Sequence, residues 1–176
     1  MKIVALSGSL RPESSSTSLL RALAGLAPDD VSVAIYGGLD DLPHFSPERD
    51  TEPAPPVVQA LRELLTGSDA VVICTPEYAH GMPGSLKNAL DWLVGSGEMV
   101  DKPVAALSAS PSPEGGASAR AWLVQTLTVM SANVVPEASF AIGLVRTKLD
   151  ADGSVSDPAT VAALRGVLTA LRNATR

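Results

Sequence analysis

The sequence predicts an α/β fold: one parallel sheet with helices on both faces. Three observations carry this. Short apolar runs without helical period alternate five times with segments of helical period. No shift in composition divides the chain, so residues 1–176 are expected to form one domain. The loops after the first, third and fourth apolar runs are rich in Gly, Ser and Pro, a composition that lets backbone approach a ligand closely.

Residues 3–6 form an apolar run expected to be a strand buried on both faces. Ser7-Gly8-Ser9 breaks it, and a loop of hydroxyls with a single arginine, Arg11, leads to a helix marked by Leu19, Leu20, Leu23 and Leu26. Ala27-Pro28-Asp29-Asp30 stops that helix, and residues 31–35 are the second strand. Residues 45–56 hold four prolines among charged side chains, which predicts a long surface loop without regular structure. Val57, Val58, Leu61, Leu64 and Leu65 then follow helical spacing up to Gly67. Residues 70–75 are the third strand. Pro83 is expected at the first position of the next helix, whose apolar face is Leu86, Leu90 and Leu93. Residues 104–107 are the fourth strand, and Leu123, Leu127 and Met130 share a helix face. Residues 140–145 are assigned to the fifth strand. Asp157 is expected to cap a last helix that begins at Pro158.

In such a sheet, ligands bind beyond the carboxyl ends of the strands, where the winding reverses. With the strand order 2-1-3-4-5, the first, third and fourth strands are neighbours, so loops 7–18, 76–83 and 108–116 converge on one crevice. The first of these joins a strand to a helix start, where unpaired N–H groups and the helix dipole favour an anion. Hydroxyls from Ser9 and residues 14–18 add donors, and Arg11 adds a bidentate cation suited to phosphate. The loop has neither the Gly-Lys-Ser/Thr ending of a P-loop nor the three glycines of a dinucleotide turn. This argues for a mononucleotide phosphate held by side-chain hydroxyls. An ordinary helix cap and turn is the plainer reading of the same residues.

A net charge of −6, with basic residues scattered, argues against nucleic acid or an anionic membrane surface as partner. Cys74 is the only cysteine, which excludes an intrachain disulfide and favours a reducing, cytoplasmic setting; its apolar surroundings predict a buried structural thiol. No signal-peptide pattern and no apolar run near the roughly 20 residues of a membrane span are present. His44, His80 and Cys74 are too dispersed to suggest a metal site.

Several motifs together carry a family likeness. Gly8-Ser9-Leu10-Arg11 with Ser14 and Ser16 opens it. Thr75-Pro76-Glu77-Tyr78, Pro83-Gly84, Leu86-Lys87-Asn88-Ala89 and Asp91-Trp92 form its most specific part. Ser108-Ala109-Ser110-Pro111, Gly115-Gly116, Arg120-Ala121 and residues 150–153 extend it along nearly the whole chain. The chain resembles the NAD(P)H-dependent FMN reductases, flavodoxin-like enzymes that include chromate, quinone and azo-dye reductases. The resemblance implies a flavodoxin-like three-layer sandwich. It implies FMN with its phosphate on Ser9, Arg11, Ser16, Thr17 and Ser18, and its isoalloxazine along Pro76, Glu77, Tyr78, Ala79, His80 and Gly81, with Ser108 across the crevice. NADPH or NADH would donate hydride in a ping-pong cycle, with free flavin, a quinone or a similar small molecule as acceptor. A homodimer or homotetramer is expected, with its interface around Trp92 and Leu93. Many family members carry Asn where Ser16 and Ala79 stand. A hydroxyl at 16 can still serve a phosphate, whereas Ala79 offers only backbone.

No protein acid or base is expected to be catalytic, because hydride passes directly between nicotinamide and flavin. His80 is read as a loop residue near the site. The Glu77 carboxylate, unfavourable beside an anionic cofactor, is expected to make a structural bond or a subunit contact. The alternative function is a flavodoxin-like FMN electron carrier. The scarcity of acids in the three loops, Glu13, Glu77 and Glu114 against Arg11 and His80, favours the enzyme.

Overall fold

The computed structural model describes residues 1–176. The main elements are β1 (Lys2–Ser7), α1 (Ser15–Gly25), β2 (Ser32–Tyr36), α2 (Pro56–Thr66), β3 (Ala70–Thr75), α3 (Gly84–Val94), β4 (Pro103–Ala109), α4 (Ala117–Val129), β5 (Asn133–Val134), β6 (Ala141–Ile142) and α5 (Pro158–Ala174). The strands pair in parallel in the order β2-β1-β3-β4-β5, with β6 also on β4. This is a flavodoxin-like sandwich, as the sequence predicts.

Alternation of side chains along the strands builds two cores. Val4, Leu6, Val71, Ile73, Val104 and Ala106 face α2, α3 and α4. Ile3, Ala5, Val72, Cys74, Ala105 and Leu107 face α1 and α5. Both faces of β1, β3 and β4 are thus covered, which is why these strands read as unbroken apolar runs. Asp157 caps α5 by accepting the Thr160 N–H at 2.8 Å, with Pro158 in the first turn. Pro83 sits one residue outside α3, as its N-cap. No helix is long and apolar enough to cross a membrane.

The fifth strand departs from expectation. It is split into Asn133–Val134, which pairs with Pro103–Val104, and Ala141–Ile142, which pairs with Ser108–Ala109. Pro136 cannot donate to a ladder, and Pro136–Ala138 turns as a 3₁₀ helix between the halves. The Ala106 N–H lies between the two paired stretches and donates to Ser139 Oγ at 2.9 Å. One hydroxyl therefore stands in for the missing ladder partner of Ala106. Residues 143–145 are not strand: Leu144 is left-handed at φ 51° and opens a 3₁₀ turn, Val145–Lys148.

Residues 45–56 are also more ordered than their composition suggests. A 3₁₀ turn spans Pro47–Arg49, and the edge of Phe45 meets the Trp92 ring at 5.2 Å between centroids. The Phe45 N–H donates to Asn88 Oδ1, while Asn88 Nδ2 and Trp92 Nε1 both donate to the Pro43 carbonyl. Arg62, buried, donates to Asp50 at 2.8 Å and to the Trp92 carbonyl at 2.6 Å. The Asn88–Trp92 motif thus anchors this segment. Trp92 and Leu93 lie in the core of the chain itself, so the subunit contact expected at them has no exposed side chain to use. Lys87 and Asp91 pair at 2.6 Å on the outer face.

Candidate functional site

A crevice opens at the carboxyl ends of β1, β3 and β4. Its walls are Ser9, Arg11, Glu13, Ser14, Ser15 and Ser16 from the first loop and helix start, then Pro76, Glu77 and Tyr78, then Ala109, Ser110 and Pro111, with Val145 and Arg146 completing it. The three loops predicted to converge do so.

Of the predicted residues, Ser9, Arg11, Ser16, Pro76, Glu77 and Tyr78 line the crevice. The others stand back from it. The Thr17 hydroxyl is 2.9 Å from the Ser7 hydroxyl, and Ser18 lies on the flank beside Gly153. Ser108 is buried and donates to the Gly115 carbonyl at 2.8 Å, which folds the third loop back on its own strand. Ala79 and His80 form the tip of a tight turn, closed by reciprocal bonds between Tyr78 and Gly81 at 3.0 Å. Gly81 lies under Trp122, whose ring carbons would stand 3.4 Å from an added Cβ.

Both tip residues are left-handed, Ala79 at φ 49° and His80 at φ 61°. Asn tolerates that region better than Ala. The Asn that the family resemblance leads one to expect at position 79 would therefore have a backbone reason to be there, independent of any bond to flavin. The His80 side chain is 89% exposed, 3.6 Å from Glu77.

Glu77 does form a structural bond. Gly116, the residue before α4, has no side chain to cap it, and the Glu77 carboxylate accepts the Ala119 N–H at 3.0 Å instead. This fixes the start of α4 to the second loop and spends the carboxylate's charge on a helix N-terminus rather than on a cofactor.

The first loop leaves its polar groups open. Ser16 Oγ is buried, the residue being 1% exposed, yet it has no hydrogen-bond partner. The Cys74 sulfur stands beside it, at best a weak acceptor for the hydroxyl proton. Burial pushes that thiol up to about 12, outweighing the opposite pull of Ser16, so Cys74 stays protonated and inert near neutrality. None of the six ion pairs in the chain uses Arg11 or Arg146. A buried hydroxyl with no more than a weak sulfur neighbour and two unpaired guanidinium groups around one crevice suit a phosphate dianion.

Sequence reasoning missed Val145 and Arg146. The signal was available, because Arg146 follows the last strand's carboxyl end, where ligand contacts are expected. The apolar run masks it, because residues 140–145 read as strand to their end.

Fold and crevice together define a flavodoxin-like protein built for a mononucleotide cofactor. Residues 1–147 match the sequence family described as NADPH-dependent FMN reductase, and the chain belongs to that family. It is accordingly an NAD(P)H- and FMN-dependent oxidoreductase. The chain is 36% identical to a quinone reductase of Escherichia coli (strain K12), over 97% of this chain and 93% of that protein. It is 32% identical to an NAD(P)H-dependent FMN reductase of Pseudomonas aeruginosa, over 89% and 85% of the two chains. Among solved structures, the flavoenzyme NAD(P)H:(acceptor) oxidoreductase FerB of Paracoccus denitrificans superposes with a TM-score of 0.88 at 31% identity, covering 99% of this chain and 96% of that one.

Proposed function

We propose that residues 1–176 act as one FMN-binding domain that takes hydride from NADPH or NADH and passes electrons, in ping-pong fashion, to free flavin, a quinone or a similar small acceptor. The observation that carries this reading is the buried, poorly partnered Ser16 hydroxyl in a crevice that also holds the unpaired Arg11. The quinone reductase and FMN reductase relatives support the acceptor class.

When bound, FMN supplies the redox chemistry, and the protein's part is to bind, orient and shield it. Ser9, Arg11 and Ser16 would hold the phosphate, with the Thr17 main-chain N–H at the same helix start as a further donor. Ser18, its N–H bonded to the Ser14 carbonyl, supports the turn from the flank. Pro76, Glu77 and Tyr78 form the wall for the ring, through main chain and the Tyr78 face; Ala79, His80 and Gly81 complete that loop, and Ser108 acts by locking the opposite loop. Tyr78 is 50% exposed, which leaves access for alternating planar substrates. No side chain of the crevice is assigned as acid or base.

A homodimer or homotetramer fits the outer face of α4, where Trp122 is 59% exposed beside the second loop and Val129 lies two turns further along. The single, buried Cys74 suits a reducing cytoplasm. The charge of −6 opposes binding to nucleic acid or an anionic membrane.

Anaerobic addition of NADPH or NADH to the FMN-loaded protein tests the reading. The oxidised-flavin absorbance is expected to bleach rapidly and to return when a quinone is added. A bound flavin that ignores both nicotinamides would instead mark an electron carrier.

A further inference from the structure

We propose that Arg146 is a second phosphate-binding cation, which meets the FMN phosphate from the β6 side of the crevice and makes the site select phosphorylated flavin over riboflavin. The proposal rests on the FMN reading above.

Arg146 shares the crevice with Arg11 and the buried Ser16 hydroxyl, and makes no ion pair within the chain. A phosphate monoester carries a charge of about −1.5 to −2 near neutrality, so Arg11 alone leaves it undercompensated and a second guanidinium balances it. The two carboxylates on the crevice wall do not compete equally: Glu77 is engaged by the Ala119 N–H, which leaves Glu13.

The backbone that carries Arg146 is held firmly. Leu144, a branched residue, is kept left-handed at φ 51°. Its N–H donates to the Ser112 carbonyl at 3.0 Å, and the Val145 N–H donates to the Ser110 carbonyl at 3.1 Å. Val145 is fully buried. Strain of this kind persists where surroundings over-determine it, and it clusters at ligand sites. The third loop thus fixes the backbone that leads into Arg146, without contributing a cation of its own.

A phosphate monoester also occurs as the 2′-phosphate of NADPH. Arg146 borders a neighbouring cavity that Arg21 shares, but Glu13, Asp150 and Asp152 line that cavity too and repel a phosphate there. The crevice, with its orphan hydroxyl, is the better match.

The test titrates the flavin-free full chain with FMN and with riboflavin, following flavin fluorescence, for wild type, Arg146→Gln and Arg146→Lys. Melting curves verify that each variant is folded. Arg146→Gln is expected to raise the FMN Kd about ten- to hundredfold and to leave the riboflavin Kd within about twofold, with Arg146→Lys in between. On the reloaded enzyme, the ratio of KM for NADPH to KM for NADH is expected to stay constant. Three results would overturn the proposal: an unchanged FMN Kd, equal weakening of FMN and riboflavin, or a rise in KM confined to NADPH, which would assign Arg146 to the 2′-phosphate. Failure of the wild type to take up FMN would sink the underlying FMN reading as well, and the wild-type curve tells the two failures apart.

Discussion

Ser16→Ala is expected to raise the melting temperature of the flavin-free protein by about 2–4 °C while weakening FMN binding about ten- to hundredfold. The two effects have opposite signs for one reason. In the free chain the Ser16 hydroxyl is buried with only the Cys74 sulfur beside it, so folding removes it from water poorly compensated, a cost of about 1 kcal/mol. Alanine removes that cost, and in the first turn of α1 it is also the better helix former. With phosphate present, the same hydroxyl gains a charged acceptor that alanine cannot offer. Thermal melts of the flavin-free protein and a fluorescence titration with FMN check both halves. A Ser16→Ala protein that melts lower and binds FMN as tightly as wild type would mean that the hydroxyl serves the fold and not the ligand.

Gly143→Ala is expected to destabilise the protein by on the order of 3 kcal/mol, about 6–12 °C in melting temperature, and to weaken FMN binding with it. A Cβ at Gly143 would stand 2.1 Å from the Pro113 carbonyl oxygen and 3.1 Å from that of Ser112. Both obstacles are backbone, so the third loop must move away from β6. That movement would disturb the bonds from Leu144 and Val145 to Ser112 and Ser110, and with them the position of Arg146. Gly166 is the control: it lies inside α5, and nothing stands within 4 Å of its added Cβ. Gly166→Ala is therefore expected to stabilise, by about 0.5–1 kcal/mol. Differential scanning calorimetry of the pair measures the contrast. A Gly143→Ala protein as stable as wild type would show that the third loop yields freely.

The parts of the fold that were legible in the sequence are those where one physical rule acts alone. Residues 3–6, 70–75 and 104–107 must be apolar throughout because helices cover both faces of the sheet, and no other element of this length reads that way. The edge was harder. Ser139 substitutes its hydroxyl for a ladder partner of Ala106, a bond across 33 residues that no local pattern announces. Pro136, read as a breaker, would have separated β5 from β6. At the site, the phosphate loop and the second loop were visible as composition at strand ends. The role of Glu77 was half visible: charge repulsion kept its carboxylate from the cofactor, but its partner, the Ala119 N–H, lies 42 residues away. The absence of Asn at position 79 looked like a lost flavin contact, yet φ there is 49°, a constraint of the turn itself.

The most direct test is a crystal structure of the FMN-loaded protein. The phosphate is expected in the crevice, with Ser16 Oγ and the Arg11 guanidinium about 3 Å from its oxygens and the ring against Pro76, Glu77 and Tyr78. A flavin bound elsewhere, with the Ser16 hydroxyl still unpaired, would contradict the assignment of this crevice as the FMN site.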